Sequence, residues 1–184
     1  LGSFNGYERD RYFVRAADQV DPERVWYDAG YAVGRDADHD GRASAPLDAD
    51  GDGDRDLVVQ TVTGFAYYEN TSPPADALRL RLVEADGRTP ALGAPVMVEA
   101  RGERFARHVA LGEGFQSQLL PDVHVGLGAP TGAPAERVTV RWADGSEAVL
   151  ENVAVGATAV VSKGRGLIET RPVPRWSSPS DPGD

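Results

Sequence analysis

Leu78-Arg79-Leu80-Arg81-Leu82 alternates apolar and charged residues without a break. A period of two puts the leucines on one face of a strand and the arginines on the other. This segment therefore reads as a strand with one buried face. Similar runs follow at short intervals: Val96–Ala100, Phe105–Leu111, Val123-His124-Val125, Val138–Trp142, Ala148–Val153 and Thr158–Ser162. Leu57–Val62 and Phe65–Glu69 precede them, around a Thr63-Gly64 turn. Arg101-Gly102-Glu103-Arg104 and Asp144-Gly145 supply further hairpin turns. Apolar residues never keep the i, i+3, i+4, i+7 spacing of an amphipathic helix for ten residues. The expectation is an all-β chain with little or no helix, built as a sandwich or barrel.

Composition narrows the function classes. The 184 residues carry a formal net charge of -10, which argues against a nucleic-acid surface. With no cysteine there is no disulfide, thiol nucleophile or thiolate metal site. The longest apolar stretch, near Val153–Val161, is about nine residues, against the roughly 20 a membrane helix needs. Lys163 is the lone lysine beside many arginines, a skew that reads as GC-rich, bacterial coding. The chain begins at Leu1, and the expectation is a processed form or a piece of something longer.

Chemistry concentrates between residues 36 and 56, where eight aspartates meet two arginines. Such a cluster repels itself unless a cation neutralises it. In Asp48-Ala49-Asp50-Gly51-Asp52-Gly53-Asp54-Arg55-Asp56 the spacing matches the front of an EF-hand loop. Asp48, Asp50 and Asp52 stand at ligand positions, Gly53 at the sharp turn, and Asp54 offers its carbonyl. Asp56 follows as the last carboxylate, while Val59 stands where an EF-hand has its glutamate. An oxygen-only ligand set favours calcium. Asp36, Asp38 and Asp40 form a weaker copy, with Gly41 in register and Ser44 in place of the last carboxylate. That copy either holds a second ion, shares one with the main loop, or is a vestige. His39 reads as a bystander, since a hard cation prefers oxygen.

Three zones follow. Residues 1–75 hold the aromatics and the acidic loops, and residues 76–165 the regular strands. Residues 166–184, ending in Arg171-Pro172-Val173-Pro174-Arg175-Trp176 and a Ser/Pro/Asp run, read as an extended or disordered Pro-rich tail. His124 reads as a structural histidine and Trp142 as a core anchor or sheet-face anchor. Trp26 and Tyr27 either pack between strands or stack on a sugar ring. Glu113, Asp122 and Glu151 form no catalytic constellation, and no G-x-S-x-G elbow surrounds Ser117.

Tyr12-Phe13, the acidic loop leading into Leu57-Val58-Val59, and Tyr67-Tyr68-Glu69-Asn70 together resemble one FG-GAP (VCBS-type) repeat. That resemblance implies calcium held between strands of a β-propeller blade. The next ninety residues resemble an ASPIC/UnbV domain, as in cartilage acidic protein-like chains. The matching segments are Leu78-Arg79-Leu80, Ala91–Val96, Gly112–Gln118, His124–Gly128 and Val138–Gly145. Asp86–Pro90 departs from the family's asparagine and arginine, and Ala143 from its W-P-x-G proline. The implied architecture is a single blade-like repeat followed by a β-sandwich or barrel-like domain. One blade cannot close a ring, so a second domain, a longer parent or another chain must cover it. The expected function is a non-enzymatic, calcium-stabilised adhesion or interaction module, secreted or at the cell surface. Protein partners or neighbouring subunits are expected, with a glycan as another ligand class. The alternative is an accessory domain of an enzyme acting on glycans or in secondary metabolism.

Overall fold

The computed structural model describes residues 9–15, 26–34, 36–37, 40–112, 114 and 117–173. Among them the chain is all strand and turn, with no helix. Two short strands, β1 (Phe13–Arg15) and β2 (Trp26–Asp28), pair with each other. A three-stranded antiparallel sheet follows: β3 (Gly41–Leu47), β4 (Asp56–Thr61) and β5 (Gly64–Tyr68), in that spatial order.

The remaining strands form two open four-stranded sheets. They are β6 (Ala77–Val83), β7 (Pro95–Ala100), β8 (Glu103–His108), β9 (Asp122–Gly126), β10 (Ala135–Arg141), β11 (Glu147–Val153), β12 (Ala157–Ser162) and β13 (Gly166–Pro172). One sheet runs β11-β10-β7-β8 and the other β13-β12-β6-β9. All neighbours are antiparallel except β6 and β12, which run parallel at the centre of the second sheet. Among the described residues no barrel closes, and the two sheets enclose one core as a sandwich.

Strand alternation explains the core. Leu78, Leu80 and Leu82 of β6 are fully buried, and they meet Val96 and Val98 of β7, Val138 and Val140 of β10, and Val161 of β12. Arg79 and Arg81 lie between those leucines and therefore face the outside of the same sheet. Trp142 joins the core at 3% exposure, as the anchor reading expects. The turns also follow the sequence. Arg101 takes a left-handed backbone (φ 55°) in the β7–β8 turn, and Gly145 (φ 84°) does so in the β10–β11 turn.

Two segments differ from the reading by pattern. Residues 166–172 form β13, antiparallel to β12, where the composition predicts an extended or disordered tail. The strand is held through its backbone, and its side chains are mostly exposed, so no apolar pattern announces it. Residues from 174 onward, including Trp176, lie outside the described residues. Gly41–Ser44, expected within the second acidic loop, belongs to β3, whose Ala45 pairs with Val58.

Candidate metal centre

The acidic loop links β3 to β4, and its own carboxylates fold it. The Asp48 carboxylate accepts from the backbone N–H of Gly51 (2.7 Å) and of Gly53 (3.0 Å). Asp50 accepts from the Asp52 N–H at 3.1 Å, and Asp52 from the Asp54 N–H at 3.0 Å. Short side chains bonding N–H groups two to five residues ahead coil the loop and turn their remaining oxygens inward. Asp48, Asp50 and Asp52 thereby offer one oxygen each, all within 4.8 Å of one another. Oxygens on opposite sides of a calcium ion stand about 4.6–5.2 Å apart, so the set is the right size for one hard cation.

Asp54 and Asp56 take different places. Asp56 is 2% exposed and accepts from Ala49 N–H (2.9 Å) and Asn70 N–H (2.8 Å). It thereby staples the start of the loop to the end of β5. The Tyr67 hydroxyl, buried and hydrogen-bonded to Asp56, is held above the usual phenol range. Both carboxylate oxygens of Asp54 are buried with no hydrogen-bond partner among the described residues. Burial, followed by the charges of Asp52, Asp56 and Asp50, pushes its carboxyl up to about 6. An orphaned buried carboxylate beside three converging ones is a donor set that fits a divalent cation. The sequence reading assigned Asp54 through its carbonyl, and the side chain's burial was not foreseen.

The second acidic segment is arranged differently. Asp36 pairs with Arg9 at 2.5 Å. Asp40, at φ 53°, is held by both terminal nitrogens of Arg42. Asp38 and His39 lie outside the described residues. Trp26 is 60% exposed on β2, and Tyr27, on the same short strand, is half-buried.

Sequence reasoning missed how the loop is docked. Arg79 reaches from the outer face of β6 to the Asp48 carboxylate, and the pair is mostly buried at 13% and 2% side-chain exposure. Ala75 N–H donates to the Asp52 carbonyl at 3.1 Å. Gly53 (φ 100°) lies so close to Ala75 that a Cβ there would run into the Ala75 carbonyl oxygen. His124, opposite Arg79 on β9, lies against the same loop. Burial pushes its imidazole down to about 4, the charges of Arg55 and Arg79 act the same way, and a hydrogen bond to the Gly53 backbone opposes them. The available signal was the strand alternation itself, which puts Arg79 and His124 on outward faces.

Asp76, at the entry to β6, fixes the joint from the other side. Its carboxylate accepts from the backbone N–H groups of Thr131 and Gly132, both at 2.8 Å, and pairs with Arg101.

No curated protein matches this chain. Among solved structures it is similar to the crystal structure of a C-terminal fragment of the pilus adhesin SpaC from Lactobacillus rhamnosus GG. That similarity has 16% identity and a TM-score of 0.19, and it covers 73% of this chain and 60% of that chain. A likeness at that level carries no argument about function. The sandwich is another matter: residues 84–167, from the end of β6 into β13, match the ASPIC and UnbV family model.

Proposed function

We propose that this chain is a non-enzymatic interaction module that works outside the cell, in which calcium locks an FG-GAP-like blade onto an ASPIC/UnbV sandwich. The observation that carries the reading is the convergence of Asp48, Asp50 and Asp52 oxygens within 4.8 Å in a loop clamped to β6. Asp54 and Asp56 complete the set of residues near the ion. The ion's part is structural: it neutralises a loop that otherwise repels itself. A site of this kind in an extracellular module can be as weak as about 10⁻⁴–10⁻³ M, which suits a calcium-rich medium.

Accessory rather than catalytic work is favoured by the matched family domain. The carboxyl group that burial pushes upward, Asp54, belongs to the acidic loop and is committed to the ion. An interaction role is favoured by the apolar side chains left in solvent on the blade, Phe65 at 78% and Val62 at 61% exposure. Protein partners or neighbouring subunits are the expected occupants.

Thermal unfolding in about 2–5 mM calcium, against the same protein in excess chelator, tests this reading. Calcium is expected to raise the midpoint, by about 2.7 kcal/mol of stabilisation at 100 times Kd. Asp52→Ala is expected to remove that rise and to behave like the parent in chelator. An equal loss in both conditions would overturn the metal assignment.

A further inference from the structure

Where the end of the acidic loop meets β8 and β9 lies a small cleft rich in cationic side chains. It is bounded by Arg55 at the end of the loop, Arg107 and His108 on β8, and Asp122 and His124 on β9, with Leu120 on its rim. Its volume is about 40 Å³, room for a group the size of a few waters and too small for a sugar ring.

Most described cationic side chains of the molecule are matched by a carboxylate, and the two in this cleft are not. Eleven described arginine and lysine side chains each hold a carboxylate within ion-pair distance. Arg55 and Arg107 hold none among the described residues, nor do Arg88 and Arg165, which line no shared cleft, although the chain has a surplus of ten negative charges. Arg107 spends one N–H on the neighbouring Ala106 carbonyl (2.9 Å), and the rest of its fork is open. The acid in the cleft, Asp122, is already occupied: Arg81 holds it through two bonds of 2.7 and 2.8 Å. Arg55 and Arg107, on different elements, thus both line one small cavity whose own acid, Asp122, is paired with another arginine. Their charges both bear on His124, which places them around the same point. Leucine on the rim lowers the local dielectric and strengthens the pull on an anion.

We infer that this cleft is an oxyanion site, in which Arg55 and Arg107 hold one carboxylate, sulfate or phosphate group presented by a ligand outside the chain. Guanidinium forks match such planar or tetrahedral oxygens in a bidentate way. The acidic surface around the cleft repels polyanions at long range, so recognition is short-range and limited to a single anionic group. The site stands apart from the calcium reading, because neither arginine is among the proposed ligands.

The test is an NMR titration of the full chain that follows the arginine Nε–H and histidine ring signals. Sodium sulfate and sodium acetate are added separately, with sodium chloride at matched ionic strength as reference, once in calcium and once in chelator. Saturable shifts confined to Arg55, Arg107 and His124, absent in chloride, are expected. Arg107→Gln and, separately, Arg55→Gln should weaken binding at least tenfold, while Arg88→Gln, in an exposed turn, leaves it unchanged. A stronger response to sulfate assigns a tetrahedral ligand group, and a stronger response to acetate a carboxylate. Shifts that grow linearly, appear equally in chloride, or persist in both arginine variants would overturn the site. Unchanged thermal midpoints in the variants separate loss of binding from loss of fold.

Discussion

The sandwich and the segment before it are stabilised by different means. The sandwich has a continuous core in which Leu78, Leu80, Val98, Val138 and Val161 are fully removed from water. Before residue 76, Val59, at 8% exposure, is the one buried apolar side chain among the described residues. Phe13, Trp26, Tyr31 and Phe65 of that segment are 55–86% exposed. A three-stranded sheet with so little buried apolar area is not expected to hold alone. Its order comes from polar geometry: the Asp56 staple, the coiled acidic loop and the clamp onto β6. One region is held by burial, the other by charge and hydrogen bonds, and the two should fail under different conditions.

Substitutions can pull that contrast apart. Leu80→Ala, in the middle of the core, should cost about 2–5 kcal/mol in calorimetry, equally with calcium and with chelator. A calcium-dependent loss would mean the core and the loop are not separate supports. Arg79→Gln leaves Asp48 buried without its partner, for a cost of about 3 kcal/mol in chelator. Calcium should recover much of that loss, because it supplies the missing positive charge. An identical deficit in both conditions would show that Arg79 supports packing rather than charge balance.

A pH profile probes the joint more finely. The His124 imidazole ordinarily protonates at 6.5 and is held at about 4 in the folded chain. Below pH 6.5 the unfolded chain therefore takes up a proton that the native chain refuses. Stability from this source is full above pH 6.5 and is lost as the pH falls to about 4, by about 1–2 kcal/mol after allowance for partial exposure. Asp54, pushed up to about 6, works in the opposite sense, since the calcium-free native loop binds its proton more readily. The difference between wild type and His124→Gln across this window is thus the quantity to measure. A difference that does not change with pH would place the histidine outside the joint. Phe65→Ser on the exposed strand β5 should change stability by less than about 0.5 kcal/mol. A larger loss would mean that the three-stranded sheet has a core of its own.

Most of the sandwich was legible because its strands bury one face, and burial writes a period of two into the residues. The hairpin turns were legible through glycine and aspartate. The strands that escaped notice are those without a buried face. β1 and β2 are three residues long, β3 contains Gly41 and Pro46, and β13 is exposed along most of its length. Backbone pairing alone leaves no mark on side-chain choice. The three converging aspartates could be read because the loop folds through local, near-neighbour bonds. Arg79, 31 residues from Asp48, could not be assigned to it, because an outward arginine on a strand has many equivalent destinations. The same limit hid the Arg55 and Arg107 cleft, whose members are 52 positions apart in the chain and joined only by the fold.

The parallel pairing of β6 with β12 has a consequence for synthesis. β6 is the first strand of the sandwich to leave the ribosome, yet its central partner, with Thr158 opposite Arg79, is made about 80 residues later. At about 5–20 residues per second the wait is on the order of 4–16 seconds. Through that interval one edge of a strand of three leucines stays unpaired. The acidic segment made just before it has its own charge partner in β6, Arg79. The acidic loop is complete before β6 emerges, so its pairing with Arg79 needs nothing that is made later.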